Sequence, residues 1–121
     1  MQKRIIQSNG IAVAVIYSHE IIIADAQSAL DLIADIDYND NCQRMAINKG
    51  AVTPDFFKLG TGMAGEILQK FANYSKKIAI IGDFSGYASQ SLKDFIYECN
   101  RGNFAFFVPD EQTAVERLTE R

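Results

Sequence analysis

Residues 60–65, Gly60-Thr61-Gly62-Met63-Ala64-Gly65, carry the spacing G-x-G-x-x-G, and Asp83 follows about twenty residues later. In a dinucleotide fold such glycines bring backbone N–H groups to a pyrophosphate, and the acid takes the ribose hydroxyl. That chemistry needs an apolar strand running straight into the first glycine. Here the preceding residues are Thr53-Pro54-Asp55-Phe56-Phe57-Lys58-Leu59, with a proline and two charges. The chain also lacks a second nucleotide-binding half, so dinucleotide binding is set aside. Two readings remain. The plainer one is a set of glycines that let a loop enter a helix and pack closely against a sheet. The functional one is an anion site at Thr61 and Gly62, built on the free N–H groups of a helix start. Thr61 is then the candidate phosphoryl acceptor, and its competing role is an N-cap hydroxyl.

A second candidate lies at Lys77-Ile78-Ala79-Ile80-Ile81-Gly82-Asp83-Phe84, an apolar run that ends abruptly in Gly and Asp. A continuous apolar run bounded by turn residues reads as a strand covered on both faces. In parallel sheets, ligands sit outside the carboxyl ends of the strands. Asp83, Phe84, Ser85, Gly86 and Tyr87 therefore form the expected pocket rim, with Asp83 and Phe84 as ligand-binding candidates. The alternative is a turn in which Asp83 accepts backbone N–H bonds. Asp55 and Glu66 are the nearest other acids, but no spacing fixes either to Asp83 as an acid–base pair. No catalytic residue is assigned.

Other reactive residue types lead less far. His19-Glu20 lies between apolar runs and reads as surface, with no Ser or Cys tied to it as nucleophile. Cys42 and Cys99 have no motif spacing and read as reduced thiols, Cys99 on an inward helical position. With one His and no Cys pair there is no ligand set for a structural zinc, and no cofactor is implied. Of the aromatics, Phe104, Phe106 and Phe107 read as strand core. Phe56, Phe57 and Phe84 fall in loop-like segments suited to a pocket or a partner surface. They lack the basic neighbours that a nucleic-acid platform needs.

The elements that must position these residues follow from periodicity. Residues 4–7 and 11–17 are strand-like around Ser8-Asn9-Gly10, a hairpin signal. Residues 21–23 are a short third piece or a helix entry. Asp25 is a good N-cap for a helix over 25–37, which Tyr38-Asn39-Asp40-Asn41 should break. Residues 44–48 are a strand, and 49–59 have no clear period, with Pro54 barring a central strand. Met63, Ile67, Leu68 and Phe71 line one face of a helix over 62–74. A strand at 78–81 precedes a helix capped by Ser89 or Ser91, with Leu92, Phe95, Ile96 and Cys99 inward. Gly102 ends that helix. A strand at 104–108 and a helix opened by Pro109-Asp110, with Val115 and Leu118 inward, complete the chain. The order is ββ, then αβαβαβα. This predicts an α/β domain over residues 1–121, with one mixed sheet of about five strands and about four helices.

The totals are compatible with that. A length of 121 residues suits one domain with one core. A net charge of −3 argues against a nucleic-acid partner, which needs a basic face. No apolar run is long enough to span a membrane, and the N-terminus has no signal-peptide core, so a cytoplasmic location is expected.

Four segments carry a family resemblance: Asp25-Ala26-Gln27-Ser28-Ala29-Leu30-Asp31-Leu32, Gly65-Glu66-Ile67-Leu68-Gln69-Lys70-Phe71, Ile80-Ile81-Gly82-Asp83-Phe84, and Ser91-Leu92-Lys93-Asp94-Phe95-Ile96-Tyr97-Glu98-Cys99-Asn100. They resemble a small bacterial family known as domain of unknown function 4180, which brings no established activity. More loosely, the element order and the strand end at Asp83 are similar to the STAS group of anti-sigma-factor antagonists and their lipid-binding-like relatives. That likeness implies a non-enzymatic switch or ligand-binding module. In the antagonists an Asp-Ser-Ser-Gly turn opens a helix and its second Ser is phosphorylated. The matching turn here is Leu59-Gly60-Thr61-Gly62. Thr61 and Gly62 fit the acceptor and its Gly, whereas Leu59 and Gly60 depart from the pattern.

The sequence thus predicts a regulatory or ligand-binding module that takes a small anionic ligand or a protein partner. The first alternative is an enzyme acting on a phosphorylated or acidic metabolite, with Asp83 as acid–base group beside an anion cradle at 60–65. The second is a self-associating homo-oligomer with Phe56 and Phe57 in an exposed patch.

Overall fold

Strand periodicity decides the architecture. In the computed structural model, which describes residues 1–120, alternate residues of the last four strands feed two separate apolar layers. The strands are β1 (Gln2–Ser8), β2 (Ile11–Tyr17), β3 (Arg44–Asn48), β4 (Lys77–Ile81) and β5 (Ala105–Val108). They form one sheet in the order β1-β2-β3-β4-β5. β1 and β2 are antiparallel, and the other pairs are parallel. The helices are α1 (Ala26–Asp40), α2 (Met63–Asn73), α3 (Gln90–Arg101) and α4 (Glu111–Leu118).

Ala14, Ile16, Met45, Ile47, Ile78, Ile80 and Phe107 point to one face and meet α1, α2 and α3. Val13, Val15, Ala46, Ala79, Phe106 and Val108 point to the other and meet Ala114 and Leu118 of α4. Ile78, Ala79 and Ile80 are all buried, as a strand covered on both faces requires. The three crossover helices share one face because each connection steps to the next strand in the same direction with the same hand. Among the described residues, α4 is the one helix on the other face, against the small side chains of Ala46 and Ala79. Among the described residues, no helix is long and apolar enough to cross a membrane.

Several element bounds differ from the sequence reading. β1 spans Gln2–Ser8, longer at both ends than periodicity shows. α1 does not stop at Asp37. It runs to Asp40, and Asn41 supplies the left-handed residue that ends it. The segment after β3 is three short 3₁₀ turns, Lys49–Ala51, Pro54–Phe57 and Leu59–Thr61. Residues 21–23 contribute a single bridge, Ile23 to Val52.

Candidate functional site

The loops beyond the carboxyl ends of β2, β3 and β4 are tied to one another. The Asn48 side chain adds a rung past the end of the ladder: Ser18 N–H donates to its Oδ1 at 2.9 Å, and its Nδ2 donates to Ser18 C=O at 2.8 Å. Ala51 C=O then accepts from Ile22 and Ile23, and Thr53 N–H donates to Ile23 C=O. These bonds fix the start of the loop that carries Lys49.

Lys49 is the centre of the site. β3 and β4 are in register up to Asn48 and Ile81, so the next residues, Lys49 and Gly82, leave the sheet side by side. A Cβ on Gly82 would stand 2.7 Å from Lys49 Cβ, so only glycine lets the lysine stem cross β4 here. The ammonium donates to Asp83 C=O at 2.9 Å. It lies 4.6 Å from the Tyr87 ring centroid, 5.4 Å from Phe84 and 5.7 Å from Phe57. Three aromatic faces thus surround one cation, each with the negative side of its quadrupole available to it. Tyr87 stacks on Phe57 at 5.4 Å, and Phe84 stands edge-on to Phe107. The box therefore rests on the core.

Asp83 adopts the turn. Its Oδ1 accepts from Ser85 Oγ at 2.6 Å and Ser85 N–H at 2.9 Å. These bonds, with the nearby Lys49 charge, hold its carboxyl below the usual range.

Two clefts open beside Lys49. One, of about 260 Å³, is lined by Ile21, Lys49, Gly50, Val52, Pro54, Phe57 and Tyr87. Among the described residues that line it, Lys49 carries the only charge. The other, of about 470 Å³, is lined by Gly82, Asp83, Phe84, Ser85, Phe107, Val108 and Pro109. Asp83 and Phe84 are therefore brought together at the rim of this second cleft, and neither lines the apolar one.

Thr61 and Gly62 do not join them. Thr61 Oγ1 lies 2.8 Å from the carbonyls of both Asp55 and Lys58 and accepts from Met63 N–H at 3.1 Å. Gly62, at φ 76°, donates its N–H to Leu59 C=O. Neither residue lines either cleft, so neither of these two clefts brings Asp83 and the 60–65 turn together. Phe56 and Phe57 are buried, which removes the exposed patch expected there, although Phe57 still gives its ring to the apolar cleft. Cys42 is buried with its Sγ against the carbonyls of Ala12 and Arg44. Burial pushes the Cys99 thiol up to about 11. His19 is exposed and sets its ring edge-on to Tyr17. Among the described residues, no three His, Cys, Asp or Glu side chains converge as metal ligands.

Sequence reasoning missed Lys49. The available signal was a lysine just past one parallel strand end and a glycine just past the neighbouring one.

The chain belongs to the family described as Domain of unknown function (DUF4180). The family's match covers residues 8–118. It takes in β2 through α4 and so every residue of the lysine box and of the 60–65 turn. No curated protein and no solved structure matches the chain.

Proposed function

We propose that this member of the family is a non-enzymatic ligand-binding or regulatory module that takes a small amphipathic anion beside Lys49. One observation carries the reading: an apolar cleft at the carboxyl ends of the strands has a single charged wall, an ammonium. A carboxylate on a short apolar chain fits that chemistry. The chain would lie on Ile21, Val52, Pro54 and Tyr87, and the carboxylate would take an N–H of Lys49 not directed at Asp83. The looser likeness to STAS modules, which act as switches or ligand binders, supports the same class. Asp83 and Phe84 keep their place as site residues in this reading, holding the ammonium through the Asp83 carbonyl and the Phe84 ring. Thr61 phosphorylation has less support, since its hydroxyl is engaged within its own turn.

The test compares octanoate with octanamide by amide chemical shifts on the labelled protein. Octanoate should shift Ile21, Lys49 and Tyr87 and bind roughly tenfold more tightly than the amide, the scale of one charge-assisted hydrogen bond. Lys49→Met keeps the stem and removes the charge, and should erase that preference. Equal binding of the two probes by the native protein, or shifts confined to other surfaces, would reject the proposal.

A further inference from the structure

The two edges of the sheet are finished differently. At β5 the Asn100 side chain of α3 plugs the edge: Phe107 N–H donates to its Oδ1 at 2.7 Å, and its Nδ2 donates to Phe107 C=O at 3.1 Å. β1 pairs with no strand on its outer side among the described residues. Its seven residues hold an unbroken register with β2, without bulge or proline.

The tight turn fixes which groups point outward. Asn9 and Gly10 both have positive φ, a two-residue turn in which the flanking Ser8 and Ile11 exchange both hydrogen bonds. Alternation along the ladder then aims the N–H and C=O of Lys3, Ile5 and Gln7 away from β2. The opposite parity on β2 agrees: the Ala12 carbonyl and both Ser18 backbone groups face the β3 side, where they meet Cys42 and Asn48.

Edge strands are usually guarded by charge, above all lysine. Here both cations are drawn off the edge. Lys3 Nζ lies 2.5 Å from Asp40 and 3.6 Å from Asp35, on the α1 face. Arg4 pairs with Glu111 on the α4 face. Between them Ile5 is left 41% exposed.

We propose that β1 pairs antiparallel with β1 of a second copy of this chain, across a dyad at Ile5. This register opposes Ile5 with Ile5 and sets Lys3 against the second copy's Gln7. It uses the whole strand and places no like charges opposite each other. Centring the dyad on Lys3 or Arg4 would oppose two lysines or two arginines, which destabilises a cross-strand pair. Centring it nearer the turn shortens the overlap. The self-complementarity of the strand in this one register is what selects a second copy as its occupant. The dyad stands perpendicular to the sheet, so the two α1 helices come to lie on the same face.

Sedimentation of the native chain should show a concentration-dependent dimer. Ile5→Lys should raise its dissociation constant at least roughly tenfold, as should Ile5→Glu. Mixing the two variants should restore a heterodimer, an outcome that a misfolded variant would not give. In the native protein, hydrogen exchange at the amides of Lys3, Ile5 and Gln7 should slow as concentration rises. A native monomer, a dimer that both substitutions leave intact, or concentration-independent exchange at those amides would overturn the proposal. None of these outcomes depends on ligand binding at Lys49.

Discussion

The lysine box depends on a single missing side chain. Gly82 does not have a positive φ, so its requirement is steric. The nearest atom to an added methyl is Lys49 Cβ, close to the backbone and unable to swing away. Gly82→Ala should cost about 1–3 kcal/mol by overpacking, read from chemical denaturation. In a Lys49→Gly background, which removes the opposing Cβ, the same change should cost clearly less. Additive effects would show that the two residues do not compete for that space. Thr61 tests a different use of one atom. Its hydroxyl holds two turns together, so Thr61→Ala should cost about 1 kcal/mol in the same assay. Cys99 should react slowly with iodoacetamide at neutral pH until the protein unfolds. Its thiol is pushed up to about 11, chiefly by burial, and so is almost wholly protonated there.

Asn100 belongs to α3 but completes β5. Removing its amide leaves the buried Phe107 N–H without a partner and opens the edge. Asn100→Ala should therefore cost about 1–3 kcal/mol and promote aggregation, measured by denaturation and light scattering. A soluble, equally stable variant would show that water replaces the amide. The strands and helices were legible because their apolar periods are long and clean. α1 outran its predicted end because Asn39 and Asp40 find partners in Asp35 and Lys3, which keep turn-forming residues helical. The 49–59 stretch had no period to read, since three short 3₁₀ turns impose none. The site was half legible. Asp83 and its turn are local, and strand-end logic finds them. The ring of Phe57, Phe84 and Tyr87 around Lys49 depends on how β3 and β4 are paired, and residue spacing does not carry that.

At the scale of the molecule, acid should loosen several elements together. Asp25 and Asp110 cap α1 and α4, and their carboxyls are held below the usual range by hydrogen bonds from Ser28 and Thr113. Asp37 is lowered by Gln43 and then Lys76, and Asp83 by Ser85. A carboxyl whose folded value is depressed contributes stability that is present above its unfolded value, about 4, and lost as pH falls through the folded one. Lys3 runs the other way. Its hydrogen bond to Asp40 raises it, so its contribution is present below its ordinary value and lost only at strongly alkaline pH. The denaturant midpoint should therefore be flat through neutrality and fall below about pH 4. Asp110→Asn separates capping from titration, because asparagine caps a helix nearly as well and carries no proton to gain. Its midpoint near neutrality should stay close to that of the native chain, while its decline in acid should be shallower. A decline parallel to the native one would place the acid sensitivity in the remaining carboxylates and not in the cap of α4.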